Sequence, residues 1–435
     1  MTVLSVTFLF SGIKHLILST ASIISTVHTS SASRLDRGAS RSSSFRFSSY
    51  ASERSDSHFS ENMGSILGYI DDPGVINLES TKMVTPVTCV GSQFLLLSDT
   101  LFSYGGGEKA SSTYYTYTGY GSVLNVGSIK ASPMTMHAAV AYGSYYLCHG
   151  GCSDLRTFRK SLLSPHKIMV INSVTLAAHK KKISGNVPSA RLSHRMYLIK
   201  PHTVFLAGGL GATGFCKDCF LINLLSMEST YAGELPLPLG NFSIVECNSQ
   251  VYLIGGQTDG FIVLPVFYKI VFTDKHGQTG EVDANQSSSV AGSAQAAGNI
   301  TKENAASFYN TGWSERNVEK KEHIPDDLPL RISFEKLPDP PFLPRRGHTC
   351  VSIGKYILLF GGTTGTRYFN DFWLYDSVSL QWREINIYGD PPSKRYGAMM
   401  GFLDTSIIVA GGSNGIMQLH DAFYINANEL ISQKG

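Results

Sequence analysis

Six times this chain carries an apolar stretch straight into a pair of glycines: LFSYGG at Gly105-Gly106, YLCHGG at Gly150-Gly151, VFLAGG at Gly208-Gly209, VYLIGG at Gly255-Gly256, ILLFGG at Gly361-Gly362 and IIVAGG at Gly411-Gly412. A repeat of this kind decides architecture before any local reading does, because each unit must bury its apolar face against its neighbours. All but one of the intervals between first glycines lie near roughly 50 residues, and the exception, Gly255 to Gly361, is about twice that and signals an insertion. Short runs rich in Val, Ile, Tyr and Phe, bounded by Gly and Pro, read as strands. No sustained helical periodicity follows residue 70, which argues against an alternating α/β fold. A glycine pair closing a strand allows positive φ and close approach of backbones where sheets converge.

The fifth unit is nearly complete. It reads Pro344-Arg345-Arg346-Gly347-His348, an apolar strand from Thr349 to Ile353, Tyr356 to Gly362, Phe372-Trp373-Leu374-Tyr375-Asp376, and Trp382-Arg383-Glu384. The third keeps Arg191-Leu192-Ser193-His194 ahead of Gly208-Gly209, and the sixth keeps Arg395-Tyr396-Gly397 ahead of Gly411-Gly412. In order, these segments resemble the R-x-G-H, strand-GG, YD and W-E signatures of the kelch repeat, over about four-fifths of the chain. The resemblance implies an all-β, six-bladed kelch-type β-propeller, whose radial repetition leaves only short sheet edges.

A blade needs four strands, and the sixth unit offers only three before the chain ends: one after Arg395, Ser406–Ala410, and Asp421–Asn426. The segment Gly74–Ser80 resembles the outer-strand segments Ile332–Leu337 and Trp382–Ile387. It is expected to complete blade six, so that an N-terminal strand closes the ring. The long interval places a poorly apolar insertion, residues 273–330, inside blade four, where it reads as a disordered surface loop. The expected organisation is therefore residues 1–70 as a leader or tail, and 71–435 as the propeller interrupted by 273–330.

At 435 residues and 43% hydrophobic content the chain can bury a substantial core. A net charge of +3 is too mild to imply a nucleic-acid partner. Within residues 1–70, no charge-free run reaches the length of a spanning helix, so no membrane association is expected. Three readings of that segment compete. An apolar start without a basic n-region fits a signal peptide poorly, Arg/Ser richness fits a mitochondrial transit peptide, and a plain tail fits the mostly intracellular kelch propellers. The expectation is a cytoplasmic protein, with mitochondrial or secretory targeting as alternatives. Seven cysteines without regular spacing are not a secreted disulfide framework.

Several constellations invite a chemical reading. Cys216-Lys217-Asp218-Cys219 is a lone C-x-x-C, and Cys148, His149 and Cys152 add soft ligands, but a second pair at conventional spacing is absent. No metal or other cofactor is expected. His137, His194 and His348 recur at one repeat position, which points to hydrogen bonding between blades rather than a triad. Tyr114, Tyr115 and Tyr117 fit the third strand of blade one. Arg191, Arg345 and Arg395 carry two readings. By resemblance to kelch adaptors, and with Arg346 assisting, they point into a shallow cup and fork onto a partner's acidic or phosphorylated segment. Alternatively, they bridge blades through backbone carbonyls and Asp residues; Met134 stands at the equivalent place in blade two. The resulting expectation is a non-catalytic protein-binding scaffold, with a kelch-type sugar epimerase or mutarotase as the alternative.

Overall fold

The computed structural model describes residues 76–83, 89–119, 124–200, 202–273 and 331–432. The expected leader, residues 1–70, and the insertion beyond Thr273 lie outside the described residues. Blades one to five each contain an antiparallel sheet of four strands laid down in chain order. Blade one uses Leu95–Leu97, Thr100–Tyr104, Thr113–Tyr117 and Asn125–Ser128; blade two uses Ala138–Tyr142, Tyr145–His149, Lys167–Asn172 and Ala178–Lys182. Blade three uses Arg195–Lys200, Thr203–Ala207, Asp218–Asn223 and Glu228–Glu234; blade four uses Ser243–Cys247, Gln250–Ile254, Phe267–Thr273 and Arg331–Lys336. Blade five follows with Thr349–Ile353, Tyr356–Phe360, Phe372–Asp376 and Gln381–Gly389. Blade six has Met399–Leu403, Ser406–Ala410 and Ala422–Asn426.

Burial explains why inner strands are apolar at consecutive positions while outer ones are polar. Successive side chains point to opposite faces of a sheet, and here both faces meet another blade. In Tyr356–Phe360, Tyr356, Leu358 and Phe360 pack toward blade six, whereas Ile357 and Leu359 pack toward blade four. Every buried apolar cluster lies between two adjacent blades, including the one joining Leu101 and Tyr117 of blade one to Met399 and Ile408 of blade six. The propeller therefore has a ring of interfaces instead of a single core. Tyr115 and Tyr117 are buried in the third strand of blade one, as their alternation predicts.

The glycine pairs mark where each interface is tightest. The N–H of every second glycine donates to a carbonyl in the loop that enters the next blade. Gly106 reaches Met134 at 2.8 Å, Gly151 reaches Arg191 at 2.9 Å, Gly209 reaches Leu239 at 2.7 Å and Gly256 reaches Arg345 at 2.9 Å. Gly362 reaches Arg395 at 2.8 Å, and Gly412 returns to Cys89 at 2.7 Å. The first glycine lies against the same carbonyl. At Gly361, with φ +67°, a Cβ would come within 2.8 Å of Arg395 O, so a side chain there is both strained and obstructed.

The ring closes through Asn77–Met83. Ser80–Met83 pair antiparallel with Ala422–Ile425 and supply the outer strand of blade six. Asn77–Ser80 also run parallel to Asn386–Gly389, the outer strand of blade five, so blades five and six share one continuous sheet. The closing strand thus lies slightly C-terminal to the expected Gly74–Ser80. Its alternation serves two interfaces in turn: Ile76 and Leu78 enter the cluster between blades five and six, and Met83 enters the one between blades six and one. Leu78→Ala should cost roughly 2–5 kcal/mol, as for other fully buried leucines. Val126→Ala, on the exposed outer strand of blade one, should cost under about 0.5 kcal/mol. Equal denaturation midpoints for the two variants would mean that the closing strand adds nothing to the fold.

Candidate functional site

The loops entering the blades gather at the same end of the propeller as the loops that follow the glycine pairs. Isolated bridges stitch the two sets together: Arg346 to Thr363, Tyr396 to Ser413, and Gly240 to Gln257. Around the axis, one residue from each entering loop takes left-handed geometry: Gly91, Met136, Ser193, Asn241, Gly347 and Gly397. Each donates its N–H to the carbonyl of its counterpart in the preceding blade. The bonds run Met136 to Gly91, Ser193 to Met136, Asn241 to Ser193, Gly347 to Asn241, Gly397 to Gly347 and Gly91 to Gly397, at 2.7–3.1 Å. They form a closed collar of backbone hydrogen bonds around the axis.

Two residues before the collar stand Arg191, Arg345 and Arg395, each with at most 1% of its surface exposed. Each guanidinium forks onto a carboxylate at the start of its own blade's third strand. Arg345 donates to Asp371 at 2.6 and 2.9 Å, Arg395 to Asp421 at 2.6 and 3.3 Å, and Arg191 to Asp218 at 2.5 and 2.8 Å. A further N–H reaches the carbonyl of the blade's first glycine, Gly208, Gly361 or Gly411, each at 3.0 Å. Aromatic rings cover the cations; the Arg345 guanidinium lies 4.6 Å from the Phe342 ring centre and 4.2 Å from that of Phe369. Burial pushes Asp371 up, but the hydrogen bonds and charge of Arg345 hold its carboxyl below the usual range.

These three arginines therefore have no fork left for a partner, which corrects the expectation that they read an acidic segment. Through their carbonyls they hold the preceding blade's glycine, and through their side chains their own blade's third strand. The blades without arginine lack the aspartate as well. Cys89 stands with Thr113, Met134 with Lys167, and Leu239 with Val266, so no half of a buried charge pair is left alone.

The histidines sit one step past the collar, buried between blades. His194 Nε2 bonds His149 Nδ1 across the interface of blades two and three at 3.1 Å, and His149 Nε2 bonds Pro165 O at 2.9 Å. Burial pushes His137 and His348 down to about 3 and His149 to about 4, so all three are neutral in the folded protein. They serve the interface. Cys216 and Cys219 are free thiols, as are the other five, and no group of ligands among the described residues could hold a metal ion.

Two partly buried arginines close to these loops, Arg346 and Arg195, show no carboxylate partner among the described residues. Arg346 lies beside the phenols of Tyr368 and Tyr396, with its Nε buried and unpartnered. Arg195 lines a cavity of about 100 Å³ on the axis, together with Ser193, Met136, His137, His348 and Thr349. Sequence reasoning missed Arg195. The available signal was positional: Gln93, Ala138, Ser243, Thr349 and Met399 occupy the same step in the other blades, and none is charged. At the loop end Phe261 and Ile262 are 41% and 55% exposed, and Ile416 and Met417 are 84% and 58% exposed.

Comparison with known proteins agrees with this geometry. Residues 332–433 match the family model described as the KLHDC2/KLHL20/DRC7 Kelch-repeats domain. The chain is 36% identical over 89 residues to the Rab9 effector protein with kelch motifs of Gallus gallus, covering 20% of this chain and 24% of that protein. Over 229 residues, half of this chain, it is 25% identical to Tip elongation aberrant protein 3 of Schizosaccharomyces pombe, of which 18% is covered. The chain thus spans about a quarter or less of the relatives it matches. In three dimensions it superposes on the solved structure titled "Structure of YjhT" with a TM-score of 0.52 at 12% identity, covering 78% of this chain and 95% of that one.

Two outcomes follow from the buried charges. Arg345→Leu strands Asp371 and should destabilise by about 3–5 kcal/mol, whereas Arg345→Leu/Asp371→Val, which copies the Leu239/Val266 solution, should recover most of the loss. A double variant no more stable than the single would contradict the pairing. Acid should also weaken the fold. From pH 7.5 to about 5 the unfolded chain protonates its histidines near their ordinary pKa of about 6.5, while the buried rings stay neutral, costing on the order of 2 kcal/mol each. His348→Gln should flatten the dependence of the unfolding midpoint on pH; an unchanged slope would show that this ring is not held neutral.

Proposed function

This chain belongs to the kelch-repeat family, and from that premise we propose that it is a non-catalytic scaffold whose loop end binds a segment of another protein. The observation that carries the reading is the surface over blades four to six. Arg346, a cation without a carboxylate, stands in the loop entering blade five, and the loops of the flanking blades expose apolar pairs, Phe261-Ile262 of blade four and Ile416-Met417 of blade six. Exposed apolar pairs on the blades that flank an unneutralised guanidinium suit a partner segment that combines an acidic or phosphorylated residue with apolar anchors. The turns at the opposite end expose Val174, Leu225, Val378 and Leu380, but at the rim and without such a cation. The axial cavity supports binding over catalysis, because His137 and His348 line it with no Asp or Glu facing them.

The test is quantitative affinity capture with the full chain, comparing wild type with Arg346→Glu and with Ile416→Asp/Met417→Asp. A specific partner retained by wild type and weakened at least about tenfold by both variants, at unchanged thermal midpoints, supports the reading. Partners retained equally by all three proteins would place recognition elsewhere.

A further inference from the structure

We propose that the axial cavity beneath the collar is a binding site for a small oxyanion, held by Arg195 with Ser193. Arg195 opens the inner strand of blade three, where its backbone pairs with Ala207, and lines the cavity with a side chain that makes no ion pair or hydrogen bond to a described residue. Burial lowers its pKa to about 10, still far above neutrality, so the guanidinium stays charged. A partly buried cation without a counter-charge is costly, and structures that keep one supply a partner. No Asp or Glu lines this cavity. Glu246 lines a second cavity between the inner strands, where it accepts a hydrogen bond from Tyr197 at 2.7 Å.

A second observation is independent of the charge. Ser193 is 4% exposed and lines the same cavity, yet its Oγ is buried without a partner. Buried hydroxyls almost always find one. The collar fixes this serine at the cavity wall: its backbone N–H and C=O are spent on Met136 and Asn241, which leaves the hydroxyl as its one group without a partner. The neighbouring parts of the wall are chemically quiet. Met136, the neutral His137 and His348 rings, and Thr349 bring no negative charge, and low-dielectric walls concentrate the field of a single cation.

Size selects the ligand. A cavity of about 100 Å³ holds several waters, each needing about 10–15 Å³ on the same measure, or one compact ion. It is too small for a folded peptide segment. A phosphate-sized oxyanion can take two parallel N–H bonds from the Arg195 fork and one O–H bond from Ser193. Tyr396 lines this cavity and also stands beside Arg346, but the ligand groups differ: Arg195 and Ser193 here, Arg346 and the exposed loops there.

The test uses the full chain and inorganic phosphate, with acetate as the carboxylate arm, both against sodium chloride at equal ionic strength. Expected is a saturable rise of roughly 2 °C or more in the thermal midpoint of wild type, and saturable phosphate uptake in equilibrium dialysis. Arg195→Met should abolish both while leaving the phosphate-free midpoint equal or higher, because a partly buried cation without a counter-charge has been removed. Ser193→Ala, which keeps the cation, should weaken binding by roughly tenfold. A response to phosphate over acetate assigns a free inorganic ion, and the reverse assigns a small carboxylate. No uptake by wild type, or equal responses from wild type and Arg195→Met, would overturn the proposal. Should Arg195→Met fail to fold, the dialysis of wild type against Ser193→Ala decides alone.

Discussion

The molecule depends on one contact made six times: a glycine N–H donating to the carbonyl of the loop that enters the next blade. Each blade is a small twisted sheet that cannot bury its faces alone, and its apolar side chains are useful only if a neighbour sits at the right distance. The glycine bond sets that distance at one end of every interface. Because both partners are backbone groups, the contact tolerates Cys89, Met134, Leu239 or an arginine at the accepting residue. It does not tolerate a Cβ on the first glycine of the pair. The last of the six, Gly412 to Cys89, joins residues more than 300 positions apart and so carries the closure of the ring together with the strand Asn77–Met83.

This division between backbone and side chain governs what could be read in advance. The glycine pairs were legible because a steric requirement admits one residue type, and with them came the blade count and the strand positions. The closing strand was legible as a strand, but its register was not. An alternating segment fits a pleat in either of two frames, and only the packing of Leu78 between blades five and six and of Met83 between blades six and one distinguishes them.

The arginines were harder for a different reason. A repeated Arg is visible, but its partner is an Asp some 26 residues later, at the start of a strand where it reads as an ordinary turn residue. Of the two readings open from sequence, cup ligand or blade bridge, the carbonyls of Arg191, Arg345 and Arg395 do bridge to the preceding blade, but their side chains pair with an aspartate of their own blade. The absence of the aspartate wherever the arginine is missing was present in the sequence all along. It becomes meaningful only when the strand register places Thr113, Lys167 and Val266 at the equivalent position.

Arginines that belong to the repeat are neutralised by the repeat, and this gives the exceptions their weight. Arg346 stands one step past a repeat arginine and Arg195 four steps past another, so neither inherits an aspartate from the blade pattern. Stability alone does not call for such residues: a partly buried guanidinium without a counter-charge gains little for the fold, and the position of Arg195 is filled in other blades by the uncharged Gln93, Ser243 or Met399. The collar makes retention possible. With the axis already closed by backbone hydrogen bonds, a side chain at the inner end of a strand can change without disturbing the ring. Charge kept at such a place, without a carboxylate from the blade pattern, is the common ground of the partner segment proposed at Arg346 and the small anion proposed at Arg195.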